Sequence, residues 1–597
     1  MDDFCRVWND YNRHPKKPKD LKSKLLNFGL NIVKHQNPND MKEMVLTKLI
    51  YSFPTDADLY YRMGCLFHPF SVDKAVLWYR LAHQQNPGHL DNLFVLCKTL
   101  YTCNQYQMFV DLNVNDVFDL VISNNMEFLF YFLMCKLSLN LFHKTDVYAK
   151  QLESYLSNMT RNTEDIKHQY WSILTELCRI YYTFGNIDKS VEYGMRAYRF
   201  AHTSEMKRTA YQFLVCLNDY RYIRTPIDID YINQIHKSSF QFTQRDTTKK
   251  VRIGYVSSDF GLHAVSNFIL PILQHHDKTK FDVFLFPNSK YIHPNFVALN
   301  LPTIHLFELS ARDAAKRIND NNIDILMDLN GHTIHNRLDV FALCPAPVQM
   351  SYIGFPNTTG LKSIQYRITD VIADPLDSTQ FATEKLLRLP SCFLLYKSVY
   401  QTAPLPVKKT KDLVVLGSFN REPKNSIETL ETWKRIMREC LNCIIVIKMD
   451  TVDNQEDRMA FYTRHLGIDK KRVLLVSRPD DDEYVRMFGM IDILLDTFPY
   501  SGTTTTCNAL YNSIPVVSLT HPNIHAHNVS ASILTHTGLP ELVGHTVSEY
   551  VSIATNLISN PKTIDNYKNK IHSQFMELMN PEKFMSAYEE LLIHKTM

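Results

Sequence analysis

The sequence predicts a chain of mixed α and α/β class, a helical-repeat solenoid followed by two doubly wound parallel-sheet domains. Three observations carry this. Up to about residue 220, apolar positions recur every three or four residues and glycine is scarce, the period of amphipathic helices. From about 250, short apolar runs alternate with helical stretches, the pattern of parallel sheets covered on both faces. The polar stretches 243–250 and 400–412 interrupt both patterns. The expected division is a helical region over 1–220, a linker over 221–250, a first α/β lobe over 251–399 and a second over 400–597.

In the helical region, Leu59, Met63 and Phe67, then Ala75, Trp78, Leu81 and Ala82, fall on helical faces. The stretches 71–87 and 185–201 echo each other, each with an Asp-Lys-small-Val start and a small residue, Ala82 or Ala197, at one register. That resembles a degenerate tetratricopeptide repeat. Stacked helix pairs leave a long groove suited to a polypeptide. Beyond 250, strands are expected at 251–260, 281–287, 323–331 and 348–356, then at 413–420, 443–449, 472–477, 492–497 and 515–519. In such sheets ligands sit beyond the C-terminal strand ends. Polar turns fall at those places: 257–267 with His263, 330–337, 354–360, 418–424 and 501–506.

The last of these, Ser-Gly-Thr-Thr-Thr-Thr, lies between a buried strand and a helix. A hydroxyl there can cap the helix, and the free amides with the helix dipole make an anion site. A diphosphate fits both groups.

Composition excludes several classes. A net charge of +3 is too balanced for nucleic-acid binding to be the default. The N-terminal stretch lacks the apolar core of a signal peptide, and no run reaches the length of a membrane span. Twelve scattered cysteines point to reduced thiols and a cytoplasmic or nuclear protein. Cys440 and Cys443 form a single CxxC without further ligands and read as structural. His525 and His527, two apart on an expected loop, do not make a metal pair.

Taken together, "GHT…CPAPVQMSYIGFPNTTGLKSIQYRITDVIADP", "GSFNREPK" and "LDTFPYSGTTTTCNALYNSIPVVSL…HAHNVSASILTHTGLPELV" resemble glycosyltransferase family 41. That family contains the protein O-GlcNAc transferases and the SPINDLY-type protein O-fucosyltransferases. The resemblance covers roughly residues 250–595, with the helical region upstream in the expected order. It implies a GT-B pair of Rossmann-like lobes. It also implies inverting, metal-independent transfer of a sugar from a nucleotide diphosphate to Ser or Thr hydroxyls. No cofactor is expected beyond the donor substrate, GDP-fucose or UDP-GlcNAc.

The resemblance assigns catalytic roles to Lys424, at the departing diphosphate, and His263, as base or positioning group. Donor-binding roles fall on Thr504 and Thr505, with Gly502 and Thr503 in the same run. Arg421, Tyr484, Asn508, Gly354, Pro356 and Thr358 complete the set. Three positions depart from the usual pattern. Asn508 stands where an acidic residue is usual, Arg421 where Gln or Asn is common, and Thr503 where animal O-GlcNAc transferases carry His. The partners implied are acceptor proteins held along the helical repeats and the nucleotide sugar; homo-oligomerisation is left open. The competing reading is a helical-repeat adaptor whose transferase half is catalytically impaired.

Overall fold

The structure is a computed structural model. It describes residues 2–34, 38–103, 105–112, 128, 131, 135, 145–159, 164–183, 185–222, 240, 242, 248–398, 413–450, 455–477, 484, 486–521 and 523–595. The expected interlobe linker at 400–412 and most of the expected linker at 221–250 lie outside these residues. The chain forms two compact units, residues 1–176 and 177–597.

The first unit is helical. Glycine brings its helices Ala57–Phe67 and Val72–Gln85 together, because a Cβ on Gly64 would come within 2.4 Å of the Tyr79 ring. Ala75 and Ala82 are fully buried in the same pair. The first of the two echoing stretches therefore forms the helix Val72–Gln85.

The second unit begins with the same construction. The other echo forms the helix Ile187–Phe200, which pairs with Ser204–Asn218 through Gly194 against Leu214 and the fully buried Ala197. Asn186 and Thr203 cap these helices with their side chains, accepting from the amides of Lys189 and Met206.

Two six-stranded parallel sheets follow. The first holds β1 (Val251–Ser257), β2 (Phe281–Pro287), β3 (Ile325–Asp328), β4 (Val348–Ser351), β5 (Tyr366–Asp370) and β6 (Lys385–Leu389). Their order is β2-β1-β3-β4-β5-β6. The second holds β7 (Val414–Ser418), β8 (Cys443–Met449), β9 (Val473–Ser477), β10 (Ile493–Leu495), β11 (Val516–Leu519) and β12 (Val543–Gly544), ordered β12-β11-β10-β7-β8-β9. Register aligns Val256, Asp328 and Ser351 across β1, β3 and β4, so the turns after these strands emerge side by side.

Apolar runs located nine of these strands to within a few residues of their ends; β5, β6 and the two-residue β12 were not located. β5 buries Arg367, Thr369 and Asp370, so no continuous apolar run marks it. The C-terminal helix Pro581–His594 returns to the first sheet. There Glu589 accepts from the Asp277 amide at 2.8 Å and lies 2.9 Å from His276 Nδ1. Among the described residues, no helix is long and apolar enough to cross a membrane.

Candidate functional site

The threonine run sits after β10. Asp496, fully buried, braces the turn. Its carboxylate accepts from the Gly502 amide at 2.8 Å, from Asn420 Nδ2 at 3.0 Å and from Ser518 Oγ at 2.8 Å. The helix Thr504–Tyr511 starts from this turn, with Thr503 at the N-cap position. The capping expectation is not met by Thr503, whose side chain makes no cap hydrogen bond. Among the described residues, the amides of Thr503, Thr504 and Thr505 have no protein acceptor. A helix start with open N–H groups is an anion site. Thr506 is turned inward instead, its hydroxyl 2.7 Å from that of Ser530.

Lys424 reaches this turn from the short 3-10 helix Glu422–Lys424 after β7. Its Nζ donates to the Ser501 carbonyl at 2.7 Å and lies 3.7 Å from the centre of the Tyr500 ring. Burial pulls its ammonium down to about 8, against the opposing pull of the Asp496 carboxylate. Arg421 and Lys448 push in the same direction as burial. Arg421 itself is exposed and lies 3.7 Å from Asp450. Burial would raise the Asp450 carboxyl, but Lys448 and Arg421 hold it below the usual carboxylate range.

The first lobe supplies the opposite wall. His263 is exposed in the turn after β1, and the Val265 amide donates to its Nδ1 at 3.3 Å. Asp259 lies 3.7 Å from the same nitrogen. Gly354, after β4, approaches the neighbouring backbone closely: a Cβ there would lie 1.7 Å from the Leu329 carbonyl oxygen. Thr358 is buried, its hydroxyl donating to Glu384 at 2.6 Å and accepting from the Gly360 and Thr383 amides.

A cleft of about 160 Å³ gathers His263, Gly354 and Pro356 from the first lobe with Thr503 and Thr504 from the second. The other expected residues do not line it. Thr505 is buried at the helix start. Asn508 is buried, its side-chain oxygen accepting from the Tyr396 hydroxyl while its Nδ2 has no partner among the described residues. Tyr484 packs edge-on against Phe488 at 5.6 Å, with Lys448 Nζ 6.0 Å from its ring.

The cleft also holds Tyr500 and Arg367, which sequence reasoning did not single out, and His525, which it set aside. His525 and His527 are not on a loop; they open the helix His525–His536. His525 Nδ1 lies 2.7 Å from Asp374, and Arg367 Nη2 donates to the same carboxylate at 3.0 Å. Burial would raise Asp374, but His525 and Arg367 hold it far below the usual carboxylate range. His527 instead meets the Asp219 carbonyl at 3.0 Å. Among the described residues, no group of three His, Cys, Asp or Glu is placed to hold a metal ion. Cys440 and Cys443 are buried, the latter's thiol donating to the Cys440 carbonyl.

Comparison with known proteins gives concordant findings. The sequence model described as Glycosyl transferase family 41 matches residues 224–401 and 397–586. The chain is 37% identical over 347 residues to the probable UDP-N-acetylglucosamine–peptide N-acetylglucosaminyltransferase SPINDLY of Arabidopsis thaliana, covering 56% of this chain and 37% of that protein. Its likeness to the probable UDP-N-acetylglucosamine–peptide N-acetylglucosaminyltransferase SEC of the same plant is 30% over 340 residues, 54% of this chain and 35% of that one. The chain thus spans little more than a third of the length of these relatives. Among solved structures, a Thermobaculum terrenum O-GlcNAc transferase mutant superposes with a TM-score of 0.56 at 21% identity, covering 96% of this chain and 97% of that one. That likeness shows the fold: a helical region followed by the paired Rossmann-like lobes of a GT-B protein.

Proposed function

The chain belongs to glycosyltransferase family 41, and from that premise we propose that it transfers a sugar from a nucleotide diphosphate to Ser or Thr hydroxyls of intracellular proteins. The observation that carries the reading is the convergence of Lys424 on the turn that opens the Thr504–Tyr511 helix. As the acceptor oxygen attacks the anomeric carbon, its hydroxyl proton passes to water or to the released diphosphate, the bond to the diphosphate breaks and negative charge grows on the leaving oxygens. The Lys424 ammonium and the open amides of Thr503, Thr504 and Thr505 would take that charge. The hydroxyls of Thr503 and Thr504, both facing the cleft, add donors. Attack from the face opposite the diphosphate inverts the anomeric centre. No metal is needed in this scheme, because the lysine and the helix start supply the positive potential.

His263 faces the same cleft. With the Val265 amide donating to Nδ1, the neutral ring carries its proton on Nε2. That favours a positioning role, in which His263 donates a hydrogen bond to a sugar or acceptor oxygen. The twelve free cysteines support a reducing compartment, cytoplasm or nucleus. The paired helices of residues 1–176 are proposed to hold acceptor polypeptides.

The pH dependence follows from Lys424. Its charged form is the useful one, and in the free protein it is lost near pH 8 rather than above 10, where an ordinary lysine titrates. We expect kcat/KM for the donor to fall as pH rises through about 8. Bound diphosphate favours the ammonium, so kcat should hold to higher pH. A kcat/KM flat to pH 10 would remove Lys424 from the diphosphate.

Between donors, the SPINDLY-like motifs and Thr503 in place of His support GDP-fucose. The names of the relatives carry UDP-N-acetylglucosamine, which keeps that donor in the test. Calorimetry with GDP and with UDP at equal concentration is expected to show tighter GDP binding. Tighter UDP binding would reverse the donor assignment and leave the reaction class standing.

A further inference from the structure

The end of the helix Ser204–Asn218 touches three parts of the cleft at once. Asp219 is buried and accepts from Asn357 Nδ2 at 2.8 Å, which ties it to the turn after β4. Its carbonyl meets His527 Nε2 at 3.0 Å, which ties it to the helix His525–His536. The next residue, Tyr220, packs edge-on against Tyr500, ring centres 4.9 Å apart at 72°. Tyr500 in turn presents its face to the Lys424 ammonium at 3.7 Å.

Tyr220 is itself held. Its hydroxyl lies 2.8 Å from that of Tyr182, and the two rings meet at 88°. Tyr182 stands in the last turn of the helix Glu164–Thr183, and a Cβ built on Gly185 just beyond it would lie 3.9 Å from the Asn425 carbonyl oxygen, one residue beyond Lys424. An aromatic face attracts a cation through its quadrupole, and the attraction grows when water is excluded. An edge-on neighbour fixes which way that face points.

We propose that Tyr220 and Tyr500 are positioning residues for Lys424, through which the helical segment 177–222 fixes the ammonium at the start of the Thr504–Tyr511 helix. The proposal rests on the reading of Lys424 as the group that meets the diphosphate. In that position the ammonium has two protein contacts on one turn, the Ser501 carbonyl and the Tyr500 face. The carbonyl alone fixes a distance; the ring face adds a direction. The helical segment thereby contributes to the transfer site and does more than stand upstream of it.

The test reads Lys424 directly. In the full chain, the acylation rate of the Lys424 amine is followed against pH by peptide mass spectrometry, with the thermal midpoint recorded for each variant. The groups that set this titration are Tyr500, Asp496, Asp219, Arg421 and Lys448, and only the first is changed. Tyr500→Leu keeps apolar bulk but removes the ring face that favours the ammonium. Its Lys424 midpoint is expected to fall by roughly half to one pH unit. Tyr220→Leu should move it in the same direction by less. Tyr500→Phe and Tyr220→Phe keep the rings and should titrate as the wild type, which a role in folding alone would not require. If Tyr220→Leu does not fold, Tyr500→Leu carries the test. A midpoint that stays in place or rises in the Leu variants overturns the proposal. A midpoint that falls, in a protein whose transfer survives Lys424→Ala, upholds the positioning and overturns only the role of Lys424 in transfer.

Discussion

Lys424→Ala is expected to lower transfer by about 10²–10³-fold, the loss seen when one group that stabilises a developing oxyanion is removed, or roughly 3–4 kcal/mol. The fold should survive. Lys424 is a half-buried ammonium whose folded pKa is depressed to about 8, so below that pH the folded state holds its charge against desolvation. With the folded value below the unfolded one, the unfolded chain binds more protons between them, and stability rises with pH across that window. At neutral pH, alanine therefore removes a cost along with the two contacts to Ser501 and Tyr500. The thermal midpoint is expected to hold or rise slightly while turnover collapses. Near-normal turnover would contradict the assignment.

Gly354→Ala is expected to damage the first lobe as severely as Lys424→Ala damages turnover. A Cβ at Gly354 would meet only backbone: the Leu329 carbonyl oxygen at 1.7 Å, its carbon at 2.5 Å and the Asn330 amide nitrogen at 3.2 Å. No side chain can swing away, so the turn after β4 or the turn after β3 must move. Overpacking of this kind costs on the order of 3 kcal/mol or more. Because Gly354 and Pro356 line the cleft, donor binding should weaken with it. Denaturant unfolding and nucleotide calorimetry on the same preparation measure both. A variant as stable and as tight-binding as the wild type would show that the turn yields freely.

What the sequence revealed follows from what holds each part together. β2 and β8 were legible end to end because nearly all their residues are apolar and buried, Asp282 and Lys448 being the polar exceptions. β5 was not, because Arg367, Thr369 and Asp370 are buried through polar partners outside the strand, one of them far along the chain. Those partners include Asp374, the Phe393 amide and Ser532. Only the folded network makes such residues acceptable in a core.

The site shows the same division. Lys424 and the threonine run stand in local motifs. Asp496 braces the run through Gly502, Asn420 and Ser518, and Tyr220 reaches Lys424 through Tyr500. No spacing rule announces contacts of that kind. The helix beginning at His525 was missed for a related reason. His525 and His527 lack helical spacing, and their partners, Asp374 and Asp219, belong to distant segments.

The central claim is transfer itself. The measurement is site-resolved mass spectrometry of acceptor proteins after incubation with the purified chain, EDTA and either GDP-fucose or UDP-GlcNAc. The account predicts a sugar on Ser or Thr hydroxyls from one of the two donors, undiminished by EDTA and lost with Lys424→Ala. Nucleotide binding with no sugar transferred from either donor would contradict it and leave a nucleotide-binding adaptor in its place.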